Sequence, residues 1–307
     1  MAPEDINIRL KVCRFESKGL FKRLYNILEA WRSQGQVNHV TGDVHFLNIL
    51  FKSKNSLLTV LDCGMLKNTS GLKHRILKYF WFTVPAKKAS YITVISKATK
   101  NDLLKYIQYN PDRIEVIYVN IADGYKPYPK AFNHAKPVIL QIGTATNKNL
   151  ERIIPALQDI PCRYVILGIL SDHQKFLLTQ NRIEFENIAK AISDQEVIGL
   201  YQSCDLVSFV STLEGFGMPI VEGNATGRAV ITGNTTSMPE IAGDAAHLVD
   251  PYDIGAIREG FVQLIHNDEY RAQLIDRGYK NAQRFDKERI AEQYFSLYRR
   301  IAGGGRR

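Results

Sequence analysis

The feature that most limits what this chain can fold into is an alternation of strand-like and helix-like segments that runs twice along it. In the first half, "SLLTVLD" (56–62) reads as a buried strand and "GLKHRILKYFWFTVPAKKA" (71–89) as largely helical. "YITVIS" (91–96) follows as a strand, "KATKNDLLKYIQ" (97–108) as a helix and "RIEVIYV" (113–119) as another strand. Neighbouring parallel strands cannot be joined by a tight turn and need a crossover, usually a helix, so short β-branched runs separated by helices predict parallel βαβ units. The pattern then breaks. "ADGYKPYPKAFNHAKP" (122–137) holds three prolines and no periodicity, the marks of a connecting segment. A second alternation starts at "VILQIG" (138–143) and continues through "RYVILGI", "RIEFENI", "DLVSFVS" and "AVITG".

The expected architecture is therefore α/β, with two Rossmann-like domains facing a cleft. The boundaries read as an amino-terminal domain over 1–124, a linker over 125–137 and a second domain over 138–285. A strongly periodic closing helix, "DKERIAEQYFSLYRRIA" (286–302), is expected to pack back toward the first domain, with 303–307 as a tail. Only one strand-helix unit, "INIRLKVCRF" then "GLFKRLYNILEAWRSQ", precedes "VNHVTGD" in the first domain. At 307 residues the chain exceeds one ordinary core and suits two.

Charge separates the halves. Residues 1–135 carry 21 Lys+Arg against 10 Asp+Glu, or +11, and the remainder 19 against 21, or −2. A basic half beside a near-neutral one implies different partners for the two, with an anionic membrane surface or a phosphate-bearing acceptor as options for the first. No nucleic-acid motif accompanies the charge, and nucleic acid is not expected. No apolar run is long enough to span a bilayer, and "MAPEDINIRLKV" lacks the layout of a signal peptide. Four scattered cysteines (Cys13, Cys63, Cys162 and Cys204) without a CxxC pair fit a reducing cytoplasm and argue against a zinc site.

In open parallel sheets ligands bind beyond the carboxyl ends of strands, so the loops there are where chemistry is sought. In "IGTATNKNLERII" (142–154), a strand leads through Gly143 to Lys148 at a helix start, a cation suited to a diphosphate. In "STLEGFGMPIVEGNATG" (211–227), Gly215 and Gly217 let the backbone turn and approach a ligand, and Pro219 fits a first helical turn. Glu222, placed in that first turn, could accept hydrogen bonds from a vicinal diol such as a ribose, and Glu214 from a second polyol beyond the phosphates. The bland alternative, a helix-dipole glutamate and a surface glutamate, is equally consistent with the spacing. A third loop, "TTSMPEIAGDAAHLVDPYD" (235–253), supplies shape, with Pro239 opening its helix.

These motifs, in this order, resemble the retaining GT-B glycosyltransferases of family 4 (glycosyl transferases group 1). The resemblance rests on "EGFGMPIVEGNATGRAVITGNTTSMPEIAGDAAHLVDPYD", "KNLERIIPAL", "LYQSCDLVSFVS" and "RFDKERIAEQYFSLYRR". It is close over 137–302 and more diffuse over 37–120, through "VNHVTGDVHFL", "LTVLD" and "ITVISKATKNDL". It implies transfer of a sugar from a UDP- or GDP-type donor to a glycan or lipid-linked acceptor with retention, without a metal or other cofactor. By the same resemblance Glu222 binds the donor ribose and Glu214 the transferred sugar. Gly143, Thr144, Lys148, Gly215, Phe216, Gly217, Met218 and Pro219 line the diphosphate and sugar, and the loop of Ile192 and Ser193 edges the base. The catalytic set it suggests is Glu214 and Lys148, with His45 and Asp43 on the acceptor side.

Three departures from the family pattern stand out. Thr144 and Leu61 replace an arginine and a histidine common in the family, and the first domain is shortened by one βα unit, without its glycine-rich loop. A non-catalytic nucleotide-sugar-binding subunit and a GT-B-fold epimerase are the alternatives. The expected location is cytoplasmic. Peripheral contact with the inner membrane face is expected through Lys73, Arg75, Lys78, Phe80, Trp81, Phe82, Lys87 and Lys88, although a helix must also bury one face.

Overall fold

A computed structural model describes residues 3–67 and 69–304, so the last three residues of the expected tail lie outside the described residues. The chain divides into two compact units. One comprises Met1–Tyr118 with Glu288–Arg307, and the other Val119–Lys287.

The first unit is built on four parallel strands, β1 (Asn38–Val40), β2 (Ser56–Val60), β3 (Tyr91–Val94) and β4 (Ile114–Val116), in the order β1-β2-β3-β4. Strand side chains alternate between faces, and β2 shows the consequence. Leu58 and Val60 join Ile92, Val94, Phe46, Phe82 and Leu103 in one core cluster, while Leu57 on the opposite face meets Ile290, Leu297 and Ile301 of the closing helix Lys287–Ala302. Both faces of the central strand are covered, which is why its five residues are all buried.

The amino-terminal part differs from the sequence expectation. "INIRLKV" forms no strand, because no neighbouring strand offers it a ladder, and Ile8, Leu10 and Val12 stand exposed. The following helix, Leu20–Arg32, buries Asn26, whose carboxamide bonds the backbone of Phe15 in both directions (2.7 and 3.3 Å). Its more apolar face, with Leu20, Phe21, Leu24, Tyr25, Leu28 and Trp31, is exposed.

The second unit has six parallel strands: β5 (Val138–Ile142), β6 (Arg163–Leu167), β7 (Glu184–Ile188), β8 (Leu206–Phe209), β9 (Ala229–Gly233) and β10 (His247–Val249). Their order is β10-β9-β8-β5-β6-β7. The chain therefore winds outward from β5 through β6 to β7, then returns to the other side of β5 and winds outward again. Strand β10, only three residues long, had no clear signal in the sequence.

The proline-rich stretch is no free tether but packs on the second unit. Asp205, just before β8, accepts the backbone N–H groups of Val138 (2.8 Å) and Asn133 (3.2 Å) and pairs with Lys130. Buried Arg228 donates to the carbonyls of Tyr128, Tyr201 and Gln202 at 2.7–2.9 Å. The boundary between units accordingly falls at 118/119, ahead of the expected 124/125.

Candidate active site

The winding of the second sheet reverses between β5 and β8, the one place where the loops leaving two adjacent strands diverge to opposite faces. Ligands of doubly wound sheets bind at such a switch point, and here those loops are 143–149 and 210–217. Both begin or end on a glycine with positive φ, Gly143 at +88° and Gly217 at +125°. At Gly143 a Cβ would lie 3.0 Å from Cε of Lys148, so only glycine lets the lysine fold back over the loop. Asn149 holds a left-handed conformation (φ 64°), pinned by its Nδ2 to the carbonyls of Val210 (3.1 Å) and Pro251 (2.6 Å).

This geometry brings together the residues singled out from the two loops. Lys148 Nζ donates to Glu214 Oε1 at 2.7 Å and lies 4.7 Å from the Phe209 ring centre. Asn147 Nδ2 donates to the same oxygen (3.2 Å) and to the Leu213 carbonyl (2.9 Å). The third loop also contributes, beyond the shape expected of it. Thr236 Oγ1 accepts the Glu214 N–H (3.2 Å), and the Ser237 hydroxyl donates to the Phe216 carbonyl (2.6 Å). The helix Met218–Thr226, with Pro219 in its first turn, points its positive end at the Gly215–Gly217 turn.

Glu222 is the fifth residue of that helix, so it begins the second turn rather than lying in the first. Its Oε2 accepts the Tyr201 phenol at 2.6 Å, and the Tyr125 ring packs edge-to-face on that of Tyr201. Burial raises the pKa of Glu222 above the ordinary carboxylate value, and the two phenols pull the other way. Other expected residues have structural work. Thr144 Oγ1 donates to the Ile169 carbonyl (2.7 Å), and Ser193 caps the helix Asp194–Ser203 in a reciprocal box with Glu196. Phe216 is buried edge-to-face against Phe285, at 5.5 Å between centroids, while Ile192 and Met218 are partly exposed.

Asn147, Tyr125, Tyr201, Thr236 and Ser237 were not foreseen. Tyr201 sits in an apolar helical pattern and Tyr125 in the proline-rich stretch, so neither carried a local signal.

In the first unit, Asp43 is exposed, and its carbonyl accepts the Trp81 indole N–H (3.1 Å). His45 does not fit the role expected of it. It is 1% exposed, its Nδ1 meets the Trp81 carbonyl at 2.9 Å, and its ring packs edge-on against Phe82. Burial lowers its pKa, so it stands as a neutral core histidine with no open face for a substrate. Phe82 is likewise buried and Trp81 partly so, packed on Phe46 and under Arg23, whereas Leu72, Ile76, Tyr79 and Phe80 are exposed.

A doubly wound six-stranded sheet of this order, joined in one chain to a second parallel-sheet α/β unit, is the GT-B class of glycosyltransferase fold. Residues 127–281, just over half the chain, match the family Glycosyl transferases group 1, and the chain belongs to that family. It is 28% identical over 233 residues to the O-antigen chain mannosyltransferase B of Escherichia coli, covering 69% of this chain and 61% of that protein. The chain thus spans about three fifths of that relative's length. Among solved structures it is similar to sucrose-phosphate synthase from Thermosynechococcus elongatus, with a TM-score of 0.76 at 16% identity over 92% of this chain and 78% of that one. It is also similar to Anabaena HepE in complex with UDP and glucose, with a TM-score of 0.75 at 16% identity over 90% and 80% of the two chains. At these identities the structural likeness speaks to the fold.

Proposed function

We propose that the protein transfers a sugar, with retention and without a metal, from a UDP- or GDP-type nucleotide sugar to a glycan or lipid-linked acceptor. The observation that carries this reading is the meeting of Lys148 and Glu214 at the switch point, on loops leaving adjacent strands. With donor bound, Lys148 would turn from Glu214 to the diphosphate and, with the helix end at Gly217, supply the positive charge the leaving group needs. Glu214, released from that pair, would hold hydroxyls of the transferred sugar. Glu222 would accept the ribose diol, with Gly143, Thr144, Gly215, Phe216, Met218 and Pro219 shaping the phosphate and sugar site and Ile192 and Ser193 the base edge.

In the reaction so read, the bond from the anomeric carbon to the diphosphate oxygen breaks as the bond to the acceptor oxygen forms on the same face. The acceptor proton passes to the departing diphosphate. The chain's task is then geometry and charge, which fits a site with no base-like dyad; Asp43 is the acceptor-side residue we retain. The relatives' names favour mannose as the sugar. The exposed Leu72, Ile76, Tyr79 and Phe80 lie in a stretch with no acidic residue between Asp62 and Asp102, which supports peripheral contact with anionic lipid.

The test is release of nucleoside diphosphate from a donor panel including GDP-mannose and UDP-glucose, with water or simple acceptors. Absence of both binding and turnover with every donor would end the reading, and binding with turnover only beside a partner would reduce it to a donor-binding subunit. Glu222→Ala is expected to weaken nucleotide binding by about 1–3 kcal/mol, the loss of charge-assisted hydrogen bonds. Unchanged affinity in calorimetry removes the ribose assignment.

A further inference from the structure

Glu222 is unusual in how its carboxylate is already engaged. Tyr201, fully buried on the helix Asp194–Ser203, donates to Oε2 at 2.6 Å. Tyr125 comes out of the proline-rich stretch beside the same carboxylate, near enough for its phenol to lower the Glu222 pKa. The two phenol rings meet edge-to-face, with centroids 5.4 Å apart and planes at 84°. The turn that carries Tyr125 is wedged in place. Its N–H closes on the Ala122 carbonyl (3.2 Å), and a Cβ at Gly124 would come within 2.3 Å of Ile198 Cδ1 on the helix that bears Tyr201.

Burial pushes both phenols above the ordinary tyrosine value. They therefore stay protonated, and Tyr201 acts on Glu222 as a fixed donor. A carboxylate offers about four acceptor directions, and the Tyr201 phenol takes one of them, so those left open suffice for the two hydroxyls of a vicinal diol. The two phenols also oppose the burial that raises the Glu222 pKa.

We propose that Tyr125 and Tyr201 are positioning residues for nucleotide recognition, fixing the plane of the Glu222 carboxylate so that its remaining acceptor directions fit a ribose 2′,3′-diol. This rests on the reading of Glu222 as the ribose ligand and adds what makes that ligand selective. Neither tyrosine touches the reacting atoms. The consequence is that ribose selectivity depends on the proline-rich stretch through Tyr125.

The experiment measures affinities of the full chain for GDP and UDP and for their 2′,3′-dideoxy counterparts, by calorimetry across pH, for wild type, Tyr125→Phe and Tyr201→Phe. Each phenylalanine variant is expected to weaken the ribonucleotide roughly fivefold, the scale of one hydrogen bond of ordinary net strength, and the dideoxynucleotide less than about twofold. Removing a donor also raises the Glu222 pKa further, so the acid loss of ribonucleotide binding should move to higher pH in both variants. Equal losses for the two nucleotide classes, or an unmoved pH limb, would overturn the inference by showing a packing role only. If wild type itself fails to prefer the ribonucleotide, the ribose reading falls and takes this inference with it. A wild-type preference that survives both variants removes the inference alone. Tyr125→Phe, on the less buried member of the pair, keeps the test open if Tyr201→Phe does not fold.

Discussion

The two units follow the same βα rule and end in different states. In the second, Leu150, Ile153, Ile154, Leu178, Phe261 and Leu264 from the covering helices are closed over Ile139, Ile166 and Ile231 of the sheet with no measurable exposure. In the first, the sheet has four strands rather than six, and two thirds of the large exposed hydrophobic side chains among the described residues belong to that unit. Ten of those lie between Ile8 and Trp31. Apolar periodicity states that a face needs a partner. It does not state that the partner is on the same sheet, and the helix Leu20–Arg32 satisfies its polar Asn26 inward while its apolar face stays uncovered.

The strongest way to break this contrast is a pair of truncations. Phe261→Ala removes a fully buried ring from the closed core and is expected to lower unfolding stability by about 3–5 kcal/mol. Leu24→Ala, on the exposed face, should stay within about 0.5 kcal/mol. Urea unfolding of both variants decides it, and a loss above about 2 kcal/mol for Leu24→Ala would show that the face is covered in solution.

A second contrast is in response to acid. His39, in β1, lies between Thr59 Oγ1 (2.6 Å) and the Tyr298 hydroxyl (2.7 Å), and burial lowers its pKa to about 4. The unfolded histidine takes its proton first, near 6.5, so the stability tied to neutral His39 is present above that pH. It is lost as pH falls from about 6.5 toward about 4, at most about 3 kcal/mol in all. His45 adds in the same direction. The second unit's Glu222, whose pKa burial raises, has the opposite sign: its protonation on acidification relieves a buried charge and costs ligand binding instead. The first unit should therefore soften at mildly acidic pH while the second loses nucleotide affinity. His39→Asn should flatten the slope of first-unit stability between pH 4 and 6.5, read by hydrogen exchange of β1 and β2. An unchanged slope would mean the histidine is not neutral in the fold.

The site shows where sequence reading succeeds and stops. That the loops of Lys148 and Glu214 would meet was legible because the winding of a parallel sheet fixes where strand-end loops converge, and that winding follows from the alternation of strands and helices. Glu222, expected in the first turn of its helix, falls one residue beyond it, since a Gly-Met-Pro start leaves the first residue of a helix undefined to local inspection. His45 was misread because nothing local distinguishes a histidine at a loop from one that a three-residue-per-turn helix rotates into the core. Tyr125 and Tyr201 are far apart in sequence, and their meeting depends on the proline-rich stretch packing onto the second unit, which its reading as a connecting segment did not anticipate. Strand β10 and the unpaired "INIRLKV" make the complementary point: pairing is a property of two segments, and the pattern of one determines it only when the partner exists.

The smallest effect separates scaffold from site within the second unit. The Ser193 hydroxyl accepts from the Glu196 N–H (3.3 Å) and donates to its carboxylate (2.8 Å), so it is committed to starting the helix that carries Tyr201. Ser193→Ala should lower stability by about 1 kcal/mol, as expected for a lost cap. Because the backbone of the Ile192–Ser193 loop, rather than this hydroxyl, would edge the base, nucleotide affinity should change less than about twofold. A tenfold loss of affinity with unchanged stability would place the hydroxyl itself against the nucleotide. It would also mean that the capping bond opens when donor binds, and the Tyr201 helix would then be a moving part of the site rather than its fixed support.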